Sequence, residues 1–280
     1  MSIAFPLTET PSPILNQTDT GAFPPIQPEP PLHYDYLNRL LYEAGPFPNP
    51  TALFGMGDDG FPVILELNNP AAGTLFLVAD PMSGQRTLMQ AVLYSLTVLN
   101  HHLDAAFYAL STNPDWLDGL RETPHCLGVE KPWRRSADAL ILHLVEVTGA
   151  RRAGRMPGPE VVLVLDDLPA LLPRFDGEIH RDLQYLMAYG PSQGVWPLVH
   201  IPSTGIRSLK RAWLSRAGTL ITGHIENQGL AQALSPDDAP RASWLRRGLE
   251  FGAFVKGRWV RFVIPVHGRY FPAYRSREDF

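Results

Sequence analysis

Residues 74–92 read TLFLVADPMSGQRTLMQAV, and the reading of this stretch decides the fold. Residues 74–79 form a continuous apolar run, the pattern of a parallel strand buried on both faces. Residues 86–100 then place Leu88, Val92, Leu93, Leu96 and Leu99 on one helical stripe. A polar turn joins strand to helix. In an open parallel sheet, ligands bind where the strands end on their carboxyl side, so this turn is the first candidate site.

Outward from this unit the alternation continues. Apolar runs at 105–110, 161–165 (VVLVL), 195–201 and 219–222 predict strands, and residues 136–147, 181–189 and 206–214 predict helices. The helix at 136–147 carries Leu140, Leu144 and Val147 on one stripe and is expected to end near Gly149. Residues 62–67 read as a further short strand. Two last runs, 250–255 and 258–264, flank Lys256-Gly257, a spacing that suits a tight hairpin at the sheet edge. Residues 113–133 and 149–160 read as loops, the first with at most a short helix. This rhythm predicts an α/β fold with a mostly parallel sheet flanked by helices on both sides.

Ahead of the sheet the pattern changes. Residues 1–31 hold Pro24-Pro25 and Pro30-Pro31 and no amphipathic period, which predicts a flexible Pro-rich tail. Residues 33–44 (HYDYLNRLLYEA) place Leu37, Leu40 and Leu41 at helical spacing until Gly45 and the prolines at 46, 48 and 50 stop the helix. The expected division is a tail at 1–31, a docking helix and linker at 32–50, and one α/β domain at 51–280.

Composition bounds the function. The 280 residues are 45% hydrophobic and 19% charged, which supplies a sizeable core and excludes wholesale disorder. The single cysteine, Cys126, cannot close a disulfide within the chain, which excludes a disulfide-stapled secreted scaffold. No apolar stretch reaches ~18 residues, and the N-terminus lacks a basic-then-apolar leader pattern. The expectation is a soluble, cytoplasmic protein without direct membrane insertion. The net charge of -4 conceals an asymmetry: residues 1–130 hold 3 Lys and Arg against 14 Asp and Glu, and residues 131–280 hold 21 against 14. A basic second half suits an anionic partner such as nucleic acid, although solvated arginine faces are the simpler explanation. Lys131, Lys210 and Lys256 are the only lysines.

That scarcity bears on the turn at 80–87. A phosphate-binding loop of the form G-x-x-x-x-G-K-[ST] uses glycines to bring backbone N–H groups to an anion. Its lysine reaches the outer phosphates and its hydroxyl holds magnesium. If Gly84 is the second glycine, Gln85 and Arg86 take the lysine and hydroxyl places, and charge and metal ligand are both lost. If Arg86 stands for the lysine and Thr87 for the hydroxyl, the glycine places fall on Asp80 and Gln85. A positive φ at such a residue costs roughly 1–2 kcal/mol, and Asp80 would put negative charge where phosphate must sit. The second constellation is VVLVLDD, residues 161–167, an apolar strand ending in two acids. It has the form of a Walker B element, with Asp166 on magnesium and Asp167 polarising a water. Acids in this position also simply cap a following helix.

Other candidates are weaker. His101-His102 lacks the i, i+4 spacing of two metal ligands on one helical face. Cys126 beside His125 has no identifiable third catalytic group. The tryptophans at 116, 133, 196, 213, 244 and 259 are scattered, which suits core or rim better than a base-stacking platform.

In order and spacing these pieces resemble the motor domain of the FtsK/SpoIIIE branch of the FtsK–HerA P-loop ATPases, including the reduced copies in EssC-type secretion proteins. The similarity runs from about residue 52 to residue 264. It is carried by GMGDDGFPVILEL (55–67), by the 74–92 stretch, by VVLVLDDLPALL (161–172), by AYGPSQGVWPLVHI (188–201) and by the closing GLEFGAFVKGRWVRFVIP (248–265). The resemblance implies a RecA/P-loop-type sheet with ATP and Mg2+ as cofactors. The nucleotide would lie on Asp80, Pro81, Met82, Ser83, Gly84, Gln85, Arg86, Thr87 and Leu88, the metal on Thr87 and Asp166, and the catalytic acids would be Asp166 and Asp167. It also implies an oligomer with related ATPase subunits and DNA or a secreted protein as substrate. Arg207, Arg211 and Arg216 fall where relatives place an arginine that acts on a neighbouring subunit.

The chain departs from the family at the lysine, at the loop glycines and at the end of the 195–201 strand, where His200-Ile201-Pro202 replaces a Thr-Gln sensor. Losing one transition-state donor typically costs ~10²–10³ in rate, about 2.7–4 kcal/mol. The expectation is therefore a degenerate NTPase domain with weak or no ATP hydrolysis, acting as an assembly or regulatory subunit of a translocating complex. Its rivals are an active DNA or protein translocase using Arg86 and Thr87, and an interaction module whose tail and Leu37/Leu40/Leu41 helix recruit a partner.

Overall fold

The computed structural model describes residues 29–235, 239–255 and 258–266. Ten strands among them share one sheet: β1 (Thr51–Gly57), β2 (Pro62–Glu66), β3 (Thr74–Ala79), β4 (Ala105–Ser111), β5 (Cys126–Glu130), β6 (Glu160–Asp166), β7 (Val195–Pro202), β8 (Ala217–Thr222), β9 (Glu250–Val255) and β10 (Arg258–Val263). Seven α-helices accompany them: α1 (Tyr34–Ala44), α2 (Gln85–Leu99), α3 (Arg135–Arg152), α4 (Leu168–Leu171), α5 (Gly177–Tyr189), α6 (Arg211–Leu214) and α7 (Gln228–Leu234). The strand order is β2-β1-β10-β9-β8-β3-β7-β6-β4-β5. From β8 to β5 all neighbours are parallel, and β9, β10, β1 and β2 continue the sheet antiparallel. The mostly parallel α/β sheet read from the sequence is the fold of the chain.

Strand β3 lies inside the parallel part, between β8 and β7, and its side chains serve both faces. Leu75 and Leu77 join the core that includes Leu88, Val92, Leu93 and Leu96 of α2. Phe76 and Val78 join the opposite core, with Leu140 and Leu144 of α3 and Leu183 and Leu186 of α5. Two cores on two faces explain why β3 and β6 are apolar throughout rather than alternating.

Two strands escaped the sequence reading. Strand β1 (TALFGMG) is buried at every position and interrupted by glycines, so it shows no period of two. Polar groups of α2 fix it in place. Ser95 Oγ accepts from Leu53 N at 2.7 Å, and Asn100 pairs with both N–H and C=O of Thr51 at 2.8 Å. Strand β5 is a short edge strand within the segment expected as loop. Helix α3 runs through Gly149 to Arg152, past its expected end. Arg151 ties its last turn down by donating to Gln193 O and Gly194 O at 3.0 Å and to Pro159 O at 2.6 Å. The helix expected at 206–214 is broken into a 3-10 turn, Ser203–Ser208, and the short α6.

The β9–β10 hairpin, expected at the sheet edge, lies inside the sheet, because β9 pairs with β8 and β10 with β1, which carries β2 at the edge. Its turn, Lys256-Gly257, lies outside the described residues, as does most of the expected tail. The last residues of that tail, Glu29 to Pro31, are described, and Leu32 behind them forms a β-bridge with Val266. Leu37, Leu40 and Leu41 of α1 are buried in the chain's own core, so the stripe expected to recruit a partner in the interaction-module reading is already used.

Candidate functional site

The carboxyl ends of β3, β6, β7 and β4 meet around Asp166, the last residue of β6. Strand register brings Ser111 beside it, since Ser111 pairs with Asp166 across β4 and β6. Ser111 Oγ donates to Asp166 Oδ2 at 2.7 Å, and Trp116 Nε1 donates to the same oxygen at 3.1 Å. His200 Nδ1 lies 2.9 Å from Asp166 Oδ1, and Arg86 Nη2 lies 3.6 Å from Asp166 Oδ2. Burial works to raise the Asp166 pKa. The hydrogen bond and charge of His200, the Ser111 bond and the Arg86 charge outweigh it and hold the carboxyl below its usual range. An ionised carboxylate only accepts, so Nδ1 of His200 carries the proton in this bond.

The turn after β3 closes on itself. Ser83 N donates to Asp80 O at 3.1 Å and to Gln85 Oε1 at 3.0 Å. Gln85 is thus turned back onto the loop, away from a lysine's task. Gly84 has φ +87 and starts α2 with no side-chain cap. A Cβ there would lie 3.0 Å from Gly248 Cα, so only glycine fits the close approach. The strained non-glycine is Met82, with φ +61, and not Asp80 or Gln85 as the second register predicts. The side chain of Leu88 is buried in the core, so its contact with the loop is through its N–H to Gly84 O at 2.8 Å.

Asp80 does not face the start of α2 with its charge. Its carboxylate accepts from Ser203 Oγ and, at 2.7 Å, from Glu226 N, and Arg247 Nη2 stands 3.5 Å away. These residues border a cleft of about 620 Å³ beside the loop, which Pro81 and Arg207 also line. The carboxylate at the start of α2 belongs instead to Glu29. Glu29 Oε2 accepts from Arg86 N at 3.1 Å, Thr87 N at 3.3 Å and Thr87 Oγ1 at 3.4 Å. Burial pushes the Glu29 carboxyl up, against the Thr87 and Arg86 amides and the charges of Arg86 and His200, which pull it down.

The donors on this carboxylate are the N–H groups of Arg86 and Thr87 and the Thr87 hydroxyl. Asp167, at the N-terminus of α4, has φ +64, and its Oδ1 accepts from Ala170 N at 3.2 Å, the capping role open to such an acid. Sequence reasoning missed Glu29, Ser111 and Trp116. Only the Ser111–Asp166 register was within its reach, through the pairing of the strand ends.

The remaining candidates stay outside the site. Burial pushes the Cys126 thiol up, the wrong direction for a nucleophile. The His101 and His102 rings lie against each other at a tilt of 36°, with centroids 4.2 Å apart, and no described residues form a group of three or more metal-ligating side chains. Arg207, Arg211 and Arg216 are exposed, and of the three only Arg207 lines the cleft beside the loop. No helix among the described residues is long and apolar enough to cross a membrane.

A parallel sheet with an anion-holding turn after β3 and an acid at the end of β6 defines a P-loop α/β fold. More particularly, it is the fold of the FtsK/SpoIIIE-type ATPases. The EssC structure (ATPases 2 and 3) from Geobacillus thermodenitrificans matches 89% of this chain at TM-score 0.67 and 12% identity. Thermomonospora curvata EccC (ATPases 2 and 3), in complex with a signal sequence peptide, matches 81% at TM-score 0.61 and 17% identity. The pCW3 conjugation coupling protein TcpA, with ATPγS, matches 78% at TM-score 0.61 and 13% identity. The chain spans 49%, 41% and 66% of those structures, respectively. No family model matches the sequence, and no curated protein does.

Proposed function

We propose that the chain is a degenerate FtsK/HerA-type P-loop NTPase domain, with weak or no ATP hydrolysis, that serves as an assembly or regulatory subunit of a DNA- or protein-translocating complex. The observation that carries this reading is the pairing of Arg86 with Asp166 in a loop without lysine. A nucleotide phosphate fits the start of α2, where the N–H groups of Arg86 and Thr87 and the Thr87 hydroxyl already hold a carboxylate. When bound, ATP supplies the phosphoanhydride bond that active relatives of this fold cleave.

Magnesium does not fit beside Asp166 in this arrangement. Both carboxylate oxygens accept from protein donors, and a guanidinium stands where a cation would approach. Asp167 is committed to capping α4. What these residues can do is bind an anion at the loop, keep Asp166 ionised, and link loop to sheet through Arg86. That is a sensing arrangement rather than a hydrolytic one. The neighbours come from secretion and conjugation ATPases, which supports placing this domain in an oligomer with related subunits.

The test is a calorimetric titration of the purified chain with Mg-ATP, with phosphate release followed on the same sample, alone and with DNA. Binding without turnover is expected. Steady turnover that falls in Asp167→Asn would overturn the reading in favour of an active translocase. No heat at millimolar ATP would remove nucleotide binding from it.

A further inference from the structure

We propose that Glu29 is a built-in occupant of the anion-binding loop, a carboxylate supplied by the chain itself that a nucleotide phosphate must displace in order to bind. The inference rests on the nucleotide-loop reading above and adds its regulation. A helix N-terminus attracts anions because its first N–H groups lack partners within the helix. Here the N–H groups of Arg86 and Thr87 and the Thr87 hydroxyl converge on one oxygen of Glu29, 57 residues or more away in sequence.

The neighbouring residue completes the seal. Thr87 Oγ1 lies 3.0 Å from Pro30 O and 3.4 Å from Glu29 Oε2 and shares its one hydrogen between them, so the hydroxyl expected to hold a metal is engaged by the same segment. Pro30 also lies on Gly248, where an added Cβ would meet its ring carbons at 3.1 and 3.2 Å. Gly248 N donates to Ser83 O at 3.2 Å, so loop, Gly248 and Pro30 form one stack. Behind it the chain is anchored by the Leu32–Val266 bridge, by His33 N donating to Pro265 O at 2.8 Å, and by the buried leucines of α1. Tethered this closely, Glu29 acts at a high effective concentration that dilution does not change.

Charge makes the exclusion mutual. The loop offers one guanidinium, and it already faces Asp166. A phosphate arriving while Glu29 stayed in place would add a third anionic group beside Glu29 and Asp166, at short range and partly out of water. A phosphate carries more charge and more acceptor oxygens than a carboxylate, so it is the class of ligand suited to win the exchange. Ser83 Oγ, buried in the same loop, has no hydrogen-bond partner among the described residues.

The experiment compares the full chain with Glu29→Ala and Glu29→Gln by calorimetric titration with inorganic pyrophosphate and with ADP. Amide hydrogen exchange of Arg86 and Thr87 is followed without ligand. Both variants are expected to bind pyrophosphate and ADP at least about tenfold more tightly than the parent, a difference of about 1.4 kcal/mol, and to exchange the two amides faster. Equal affinities in all three proteins would overturn the proposal and leave nucleotide binding standing. Absence of binding in all three would overturn the nucleotide reading and, with it, the exchange of ligands proposed here. Amide exchange in the variants would then still report whether Glu29 holds the loop, and unchanged rates would show that it does not.

Discussion

The two ends of β6 are built from the same kit and do different work. At its start Glu160 accepts from the Trp196 indole at 2.7 Å, with Arg151 close by; at its end Asp166 accepts from the Trp116 indole at 3.1 Å, with Arg86 close by. Burial pushes the Glu160 carboxyl up, against the Trp196 bond and the Arg151 charge, which only partly offset it. Asp166 is held down, because His200 and Ser111 add their bonds to the charge of Arg86. Arg151 spends its guanidinium on the carbonyls of Pro159, Gln193 and Gly194, which fastens α3 to the sheet. Arg86 makes no such commitment and reaches the carboxylate from the first turn of α2. The amino end of the strand is cement, and the carboxyl end is a charged junction between loop, strand and helix.

The largest expected effect separates the junction from the cement. Asp166→Ala leaves Ser111, Trp116, His200 and Arg86 converging on nothing and should lower stability by about 3–5 kcal/mol in urea unfolding. A loss below about 1 kcal/mol would mean that the carboxylate does not organise its end of the strand. Next come the indoles. Trp196 is fully buried, and Trp196→Phe should cost about 1–3 kcal/mol because Glu160 loses its indole donor. Trp116→Phe should cost about 1 kcal/mol or less, since Ser111 still serves the same oxygen of Asp166. Equal losses would erase the contrast between the two ends.

The smallest effect concerns pH. A raised carboxyl contributes stability that is complete below the usual glutamate range and is lost as pH rises through the raised value. Glu160→Gln does not titrate, so its stability relative to the parent should improve with rising pH, by under about 1 kcal/mol. Thermal unfolding at a series of pH values from 4 to about 8 would read this, and a parallel offset at every pH would reject the assignment.

Most of the sheet was legible because burial on both faces leaves continuous apolar runs, as in β3, β6 and β7. Strand β1 was hidden by the same burial combined with glycines, and β5 by its shortness at an edge. The acid at the end of β6 and the turn after β3 were legible from their order. Glu29 was not: it sits in a proline-rich stretch with no period, and its meaning arises only when the fold brings it to Thr87. Trp116 was hidden for a similar reason, since nothing local distinguishes an indole that packs from one that donates to a buried carboxylate. Asp80 was misjudged because sequence shows that a charge is present but not which way it turns, and here it turns to Ser203, Glu226 and Arg247.

The contact of Gly84 with Gly248 has a consequence in time. The backbone of the turn after β3 is held by a residue that is synthesised 164 positions after Gly84. Contacts across such separations form late, after the intervening chain has closed its loops. A nascent chain would therefore have its parallel strands β3 to β8 and its helix α2 before it has a finished anion pocket. The finished loop, with Gly84 packed on Gly248, is then expected only after residue 248 has been made.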